Sequence, residues 1–294
     1  KTLAIDPNYF DGLYKKGLAL TSLQNYDEAL SFFDKALDID PHHSDILYNK
    51  GLCLSSLGKY QLAISYYEKA LEFNSQHLLS MHNKGYSLLK LGKKSEALEC
   101  FDKVLAIDSN FEDAILRKGT TIFSLGDYES AIKQFDRALN TNPFNVDVLY
   151  YKATSLSYLG MHEEALVVFD KILEIIPNHF DALSKKGKIL QLFGYDDKAL
   201  DCFELAIKIR PDHHESIINK GFCLIQLEQK EKALHCFDKV LTKNQNNSDA
   251  LLGKAITLSQ LGHHSEAISY YDKALAMNPN HSDILCDKGL TLSI

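Results

Sequence analysis

Histidine is the residue type in this chain whose spacing first suggests chemistry. The chain has 12 histidines, and adjacent pairs stand at 42–43, 213–214 and 263–264. Imidazole nitrogens are common zinc ligands, so clustered histidines raise the question of a metal site. Five of them, however, are separated by multiples of 34 residues: His43, His77, His179, His213 and His281. Because such residues stand about one repeat apart, too far to share one ion, we expect polar linker residues, no metal and no cofactor.

The other reactive side chains form no recognised catalytic pattern. The sequence has no Gly-rich phosphate loop, no His-Glu-x-x-His and no Gly-x-Ser-x-Gly. Its six cysteines include no Cys-x-x-Cys pair, which favours reduced thiols in a cytoplasmic protein over disulfides. We therefore expect no enzyme activity within this chain.

Composition and charge exclude several further classes of protein. Of the 294 residues 45% are hydrophobic and 24% are charged, which is typical of a folded chain and not of a disordered one. No run of about 18 apolar residues predicts insertion into a membrane. The net charge of −7 weighs against binding to the phosphate backbone of nucleic acid. The chain begins with Lys1 and has no initiator Met, so we expect it to be a segment of a longer protein.

Glycine and proline show that the chain is an internal repeat. One glycine register comprises Gly17, Gly51, Gly85, Gly119, Gly187, Gly221 and Gly289, and Ala153 and Ala255 fill its missing places. A second register, seven residues later, comprises Gly58, Gly92, Gly126, Gly160, Gly194 and Gly262. All six prolines share one further point of the same 34-residue period.

These registers predict one continuous repeat array over 1–294. Residues 1–9 are the tail of a preceding repeat and 282–294 the start of a ninth. The eight full repeats are 10–43, 44–77, 78–111, 112–145, 146–179, 180–213, 214–247 and 248–281. Below, repeat positions 1 to 34 are counted from the first residue of each repeat.

Apolar residues recur twice within each repeat at helical spacing. Positions 4, 8, 11 and 14 form one stripe and positions 20, 24, 27 and 28 another, as expected for two helices that each bury one face. Glycine at position 15 suits a helix C-terminus, and proline at position 32 follows the end of the second helix. Each repeat is therefore predicted to be a hairpin of two helices, which we call helix A and helix B.

Two positions of helix B do not vary in size. Position 20 is alanine in every full repeat: Ala29, Ala63, Ala97, Ala131, Ala165, Ala199, Ala233 and Ala267. Position 24 is always aromatic: Phe33, Tyr67, Phe101, Phe135, Phe169, Phe203, Phe237 and Tyr271. An invariant small residue beside an invariant ring predicts a close approach of helices that a larger side chain would disrupt.

This pattern strongly resembles the tetratricopeptide repeat family over essentially the whole chain. The resemblance implies an all-α fold, a right-handed superhelical solenoid of antiparallel helix pairs, whose helices A line a concave groove. The family's usual Trp at position 4 is replaced by aliphatic residues, which marks a leucine-type variant. A second departure is lysine at position 7 in all nine occurrences, where the family commonly has leucine.

The lysine at position 7 has a matching acid at position 25. That position is acidic in all eight full repeats: Asp34, Glu68, Asp102, Asp136, Asp170, Glu204, Asp238 and Asp272. One hypothesis is an ion-pair ladder that joins the two positions, within a repeat or with the repeat before it. The alternative is two unrelated solvated faces.

Positions 2, 5, 6, 9, 12 and 13 of helix A vary freely, so we expect them to face the groove. The family resemblance implies that the groove binds a peptide or protein segment, and exposed rings there would be suitable anchors. The asparagines could grip a peptide backbone, since an amide both donates and accepts. The predicted binding residues are Tyr14, Lys15, Tyr48, Asn49, Asn83, Tyr86, Arg117, Phe123, Tyr150, Tyr151, Tyr158, Lys185, Asn219 and Phe222.

Several alternatives remain open. Lys15, Asn49, Asn83 and Arg117 resemble parts of the carboxylate clamp of chaperone-binding relatives, but the flanking positions match poorly. The RNA-binding pentatricopeptide class needs a basic face, which the acidic net charge disfavours. The array could instead be the substrate-recruiting arm of an enzyme whose catalytic domain lies outside this segment. Weak self-association through exposed terminal repeats is a further alternative.

Overall fold

The computed structural model describes residue 6 and residues 9–293, and 17 helices and no strand are found there. The helices are α1 (Phe10–Ser22), α2 (Tyr26–Ile39), α3 (Ser44–Ser56), α4 (Tyr60–Phe73), α5 (Leu78–Lys90), α6 (Lys94–Ile107), α7 (Glu112–Ser124), α8 (Tyr128–Thr141), α9 (Val146–Tyr158), α10 (His162–Ile175), α11 (Phe180–Leu192), α12 (Asp196–Ile209), α13 (His214–Gln226), α14 (Lys230–Lys243), α15 (Ser248–Gln260), α16 (His264–Met277) and α17 (Ser282–Leu292). The predicted all-α array of antiparallel helix pairs is confirmed. Most of the tail assigned to 1–9 lies outside the described residues.

Each full repeat contains one helix A of 13 residues and one helix B of 14 residues. These are shorter than the roughly 20 residues needed to cross a bilayer. No helix among the described residues qualifies as a membrane span. The chain divides into two compact units, Lys1–Tyr151 and Lys152–Ile294, and the division falls within α9.

The turn between helix A and helix B depends on a left-handed residue at position 15. Glycine holds this position in six repeats, with φ between 74° and 85°. The residue after it donates its backbone N–H back to the carbonyl at position 11, as in Lys59 to Leu54 at 2.9 Å and Tyr195 to Leu190 at 2.9 Å. This bond closes the helix end and turns the chain into helix B.

Two repeats place a side chain at this strained position. Gln24 has φ of 60° and Glu228 has φ of 56°. An L-residue in this region costs roughly 1–2 kcal/mol relative to its preferred conformations. We therefore expect Gln24→Gly to raise the free energy of unfolding by about 1 kcal/mol, measured by urea denaturation. The reverse substitution Gly58→Ala should lower it by a similar amount, and an unchanged Gln24→Gly protein would contradict the strain.

In several repeats the side chain at position 34 caps the next helix A. The side chains of His77 and His213 accept hydrogen bonds from the backbone N–H of Ser80 and Ser216 at 3.1 and 3.2 Å. Asn247 caps in the same way, through Ala250 at 2.9 Å. His77, His179 and His213 therefore have a structural role as N-cap acceptors, whereas the side chains of His43 and His281 form no such bond. Within the described residues no group of three or more His, Cys, Asp or Glu side chains could hold a metal ion.

Positions 20 and 24 form the interior of each hairpin, as predicted. Every position 20 alanine is fully buried, and every position 24 ring is at most 1% exposed. The small residue at position 8 of helix A allows this ring to lie against the backbone of helix A. A Cβ atom added at Gly119 would lie 2.7 Å from a ring carbon of Phe135, closer than any normal contact.

Positions 3 and 10 of helix A are also buried, which the apolar stripe did not predict. Position 3 is fully or almost fully buried in repeats two to nine, although it holds serine in Ser80 and Ser216. In the second repeat Ile46 and Cys53 join the cluster of Leu13, Phe33 and Ala36 from the first. These two positions therefore pack on the preceding repeat, where a small residue is sufficient.

The ion-pair ladder is present within each of the two compact units, where position 7 lysines pair with the acid of the preceding repeat. Seven such pairs lie within the two compact units: Lys50–Asp34, Lys84–Glu68, Lys118–Asp102, Lys186–Asp170, Lys220–Glu204, Lys254–Asp238 and Lys288–Asp272. The lysine stems are mostly covered, whereas the acids are about half-exposed. Each pair therefore contributes little by itself, about 0–1 kcal/mol.

An aromatic ring reinforces the ladder in some repeats. The Lys50 amine lies 4.4 Å from the centre of the Tyr66 ring as well as against Asp34. Burial opposes its charge, but hydrogen bonds to Asp34 and Tyr66 and attraction to these groups raise the pKa of Lys50 above its ordinary value. Lys16 lies 4.1 Å over the Phe32 ring in the same manner.

Candidate functional site

All fourteen predicted binding residues lie on helices A. We call positions 5, 6, 9, 12 and 13 of these helices the helix A face. Helix B packs against position 8, on another side of helix A, so it leaves this face at least partly open. Most of the predicted residues are half-buried, and the two units of the chain are described separately below.

Asparagines at position 6 link the first repeats to one another. Asn49 donates to the Tyr14 hydroxyl at 3.4 Å and to the Asp45 backbone carbonyl at 2.7 Å. Asn83 repeats this pattern with Tyr48 at 3.3 Å and the Leu79 carbonyl at 3.0 Å. Both N–H groups of each amide are thereby used. These asparagines therefore offer a ligand an acceptor oxygen, not the paired donor and acceptor that the sequence suggested.

Two basic side chains lie near the Tyr86 ring on the helix A face of the first unit. The Arg117 guanidinium carbon lies 4.8 Å from the centre of the Tyr86 ring, and the Lys90 amine lies 5.3 Å from it. The ring is half-buried. A cation over an aromatic face is favourable by about 0.5–1 kcal/mol at exposed sites, so the three side chains hold one another in place.

The rings near the end of the first unit have a double role. Tyr151 stacks on the position 24 ring of Phe135 at 5.8 Å and meets Phe123 edge-on at 5.5 Å. Tyr150 meets Tyr151 at 6.2 Å. These residues form a half-buried aromatic wall whose inner part belongs to the core. Their presence on helix A therefore reflects inter-repeat packing as well as any ligand contact.

In the second unit the predicted binding residues have different neighbours. Tyr158 is 57% exposed and the Lys185 amine lies 5.8 Å from the centre of its ring. Lys188 forms an ion pair with Glu215, and this hydrogen bond holds the pKa of Glu215 below its ordinary value. Phe222 contacts the Phe237 ring edge-on at 5.3 Å, again as part of the core wall.

Asn219 shows what the tyrosine at position 5 contributes in the first repeats. The preceding repeat of the second unit has Ser184 at position 5, which is shorter than tyrosine. The Nδ2 atom of Asn219 is buried, and no hydrogen-bond partner for it is found among the described residues. The amide ladder of the first two repeats is therefore not continued here.

The charged residues at positions 5, 6, 9, 12 and 13 are basic, whereas position 2, which was also expected to face the groove, is acidic in seven of the eight full repeats. The eight full repeats place five charged side chains on the helix A face, all of them basic: Lys15, Lys90, Arg117, Lys185 and Lys188. Lys90 and Lys188 were not among the predicted binding residues, although the sign of the charge is visible in the sequence. Lys188 pairs with Glu215, the position 2 acid of the next repeat, so acidic residues border these basic ones.

His82 is the buried titratable group on this face. It occupies position 5 of the third repeat, is 8% exposed, and packs against the rings of Phe101 and Phe111. Its Nε2 atom has no hydrogen-bond partner among the described residues. Burial lowers the pKa of His82, and attraction to Asp113 only partly opposes this.

The lowered pKa of His82 predicts a pH-dependent contribution to stability. Because the folded state disfavours the charged imidazole, the unfolded chain binds this proton more readily once the pH falls below about 6.5. This contribution to stability is therefore present at pH above that value and is lost as the pH falls. We expect His82→Leu, which copies Leu116 and Leu252 at the same position, to lose less stability between pH 7.5 and 5.5 than wild type in urea denaturation. Equal losses would contradict the assignment.

Clefts of small-molecule size lie away from the helix A face. One of about 520 Å³ lies between helices B of the fifth and sixth repeats and is lined by Leu166, Leu173, Leu205 and the Lys186–Asp170 pair. The helix A face instead presents exposed and half-buried side chains such as Arg117 and Tyr86. It is therefore better suited to an extended segment than to an enclosed ligand.

Family models match most of the repeats. Models described as tetratricopeptide repeat match residues 10–76, 45–110, 180–213, 214–247 and 248–281. A model described as anaphase-promoting complex, cyclosome, subunit 3 matches residues 95–172. Among curated proteins, none is similar enough to match the chain.

Solved structures are similar to this chain over much of its length. YrrB, described as a TPR protein with an unusual peptide-binding site, is 27% identical, with a TM-score of 0.57 over 63% of this chain and 95% of that one. The C-terminal part of a TPR repeat-containing protein from Cytophaga hutchinsonii is 20% identical, with a TM-score of 0.70 over 82% and 98% of the two chains. The Cut9–Hcn1 structure is 17% identical, with a TM-score of 0.58 over 97% and 56%. The last two show the fold alone.

Repeats of this kind are generally non-catalytic scaffolds whose partners are proteins or peptides. The matched models cover more than half of the chain, and they coincide with the helix pairs observed in the structure. The chain therefore belongs to the tetratricopeptide repeat family, as its repeat pattern predicted.

Proposed function

We propose that this chain is a non-catalytic scaffold that binds an extended peptide or protein segment along its helix A face. The observation that carries the proposal is the contact of a basic with an aromatic side chain on that face, where Arg117 lies over the half-buried Tyr86 ring. A segment that presents carboxylates beside aromatic or aliphatic side chains would complement it. The similarity to YrrB, described as having an unusual peptide-binding site, supports a peptide as the partner.

Tyr86 and Arg117 are the proposed anchors in the first unit. Arginine can form two parallel hydrogen bonds with a carboxylate, and its contact with the Tyr86 ring orients it for this. The half-buried ring supplies apolar area at small entropic cost, as interface hot spots commonly do. The amide oxygens of Asn49 and Asn83 would accept hydrogen bonds from the peptide backbone.

Selection from a displayed library of random peptides tests this proposal. Peptides that bind wild type should lose about tenfold or more in affinity in the double variant Tyr86→Ala/Arg117→Ala. The matched control is Tyr66→Ala/Lys69→Ala, which removes a similar ring and cation, 5.2 Å apart, from a helix B. The control should bind as wild type does, and an equal loss in both variants would contradict the proposed face.

The sign of the partner's charge has its own test. If the selected peptides are acidic, Arg117→Glu should weaken binding more than Arg117→Ala does, and added salt should weaken binding to wild type. Binding that is insensitive to salt, or peptides selected without carboxylates, would exclude charge complementarity as the basis of recognition.

A further inference from the structure

The turns of the fifth and sixth repeats differ from all others in the chain. Positions 13 and 16 flank the turn between helix A and helix B, and in six full repeats both are polar. These polar residues are Ser22, Asn25, Ser56, Lys59, Lys90, Lys93, Ser124, Asp127, Gln226, Gln229, Gln260 and His263. In the fifth and sixth repeats the same positions hold Tyr158, Met161, Leu192 and Tyr195. Each other repeat is therefore an internal control for these two.

Three of these side chains and the two position 14 residues beside them form an exposed apolar surface in the second unit. We define the turn edge as Leu159, Met161, Leu192, Phe193 and Tyr195. Leu192 is 65% exposed and Tyr195 is 52% exposed, and the other three are also solvent-exposed. Phe193 meets the Tyr195 ring at 6.3 Å and the His162 ring of the fifth repeat at 5.9 Å, so the two turns are in contact. Together they expose apolar area of the order of several hundred Å², the size that marks interaction sites.

Packing within the repeats does not account for these residues. The core positions beside the turns, Leu156 and Leu190, are buried without help from the turn edge. The remaining repeats form the same turn with serine, lysine or glutamine in these places. Polar residues at these positions are compatible with the turn, so exposed apolar residues there indicate a surface that a partner covers.

Acidic residues next to the turn edge indicate what that partner carries. Glu163, Glu164 and Asp197 lie in the first turns of the adjoining helices B and are exposed. Among the described residues none of the three forms a salt bridge. Lys198 is drawn over the Tyr195 ring at 5.3 Å. The rim of the apolar surface is therefore predominantly negative.

We propose that the turn edge is a second interaction surface, which adjoins the helix A face at Leu192 but excludes its proposed anchors Tyr86 and Arg117, and which binds a protein segment that carries lysine or arginine beside aliphatic or aromatic side chains. The apolar side chains of the segment would cover Leu192, Phe193 and Tyr195, and its basic ones would pair with the acidic rim. A second copy of this chain fits poorly, since a symmetric contact would bring the acids of both rims together. An anionic bilayer is disfavoured for the same reason.

A pair of synthetic probe peptides tests this proposal. The first is a labelled amphipathic peptide of leucine, phenylalanine and lysine, and the second has glutamate in place of every lysine. The comparison uses the Tyr86→Ala/Arg117→Ala variant, because the helix A face of wild type is itself proposed to bind acidic segments. Fluorescence anisotropy should show this variant binding the lysine peptide about tenfold or more tightly than the glutamate peptide. Equal affinity for the two peptides, or binding of neither, would overturn the proposal.

Two variants of the turn edge locate the binding. Met161→Lys/Leu192→Gln/Tyr195→Gln introduces residue types that other repeats carry at these positions, so the fold should be kept, and circular dichroism checks this. It should weaken binding of the lysine peptide about tenfold. Glu163→Lys/Glu164→Lys/Asp197→Lys should instead reverse the preference between the two peptides. Leu125→Gln, at an exposed turn position of the fourth repeat, is the matched control and should bind as wild type does.

Failure of this proposal can be told apart from failure of the helix A face. The variant Tyr86→Ala/Arg117→Ala should leave the lysine peptide bound to the turn edge. Self-association in light scattering that the triple turn-edge variant abolishes would identify a second copy as the occupant and overturn the proposal. Binding of wild type to neutral phosphatidylcholine vesicles, abolished by the same variant, would overturn it in favour of a lipid surface.

Discussion

Phe135→Ala is expected to lower the free energy of unfolding by about 3–5 kcal/mol. The ring is fully buried, lies against the backbone at Gly119 and stacks on Tyr151 at 5.8 Å. Its removal takes apolar area out of the core and leaves a cavity between helices that stand too far apart to close it. Urea denaturation followed by circular dichroism measures the loss, which could appear as early unfolding of the neighbouring repeats.

Phe144→Ala is the matched control for this prediction. Phe144 is the same residue type nine positions further along the chain, but it is 73% exposed in the linker between repeats. Its removal should change the free energy of unfolding by no more than about 0.5 kcal/mol. Similar losses from the two substitutions would show that the ring at position 24 does not have the core role assigned to it.

Ala131→Leu is the second substitution expected to have a large effect, about 1–3 kcal/mol of destabilisation. Ala131 is fully buried in the same cluster as Phe135, at the position that is alanine in every full repeat. A leucine there adds three carbon atoms where helices A and B meet, so the ring or the backbone must shift. Ala106→Leu, at an exposed position of α6, makes the same change in solvent and should cost no more than about 0.5 kcal/mol. An unchanged melting temperature for Ala131→Leu would contradict the packing assignment.

The binding residues illustrate how far a sequence pattern can identify a site. Positions that vary among repeats are those that packing leaves free, so the variable face of helix A could be recognised without coordinates. The role of each side chain could not. Asn49 was predicted to grip a peptide because its amide donates and accepts, whereas both of its N–H groups bond within the chain. Such a bond depends on the tyrosine of the preceding repeat, 35 residues away.

The ladder of lysines and acids likewise was predicted in part from the sequence and completed by the structure. The matching residue types at positions 7 and 25 predicted an ion pair but left its partner open, within a repeat or with the one before it. The structure joins Lys220 to Glu204, 16 residues earlier, because helix A lies beside helix B of the preceding repeat. Periodicity alone does not distinguish these partners, since both give the same spacing in every repeat.

The spacing of residue types was sufficient to predict the period, the two helices of each repeat, the glycine turn between them and the buried alanine and aromatic ring of helix B. These features depend on local sterics and on which face of a helix is apolar, and both are encoded in the spacing of residue types. Coordinates were needed to show that small polar residues such as Ser80 are fully buried and that Leu192 and Tyr195 are exposed. Burial of this kind depends on how near the neighbouring helices come, and that distance is a property of the packed array.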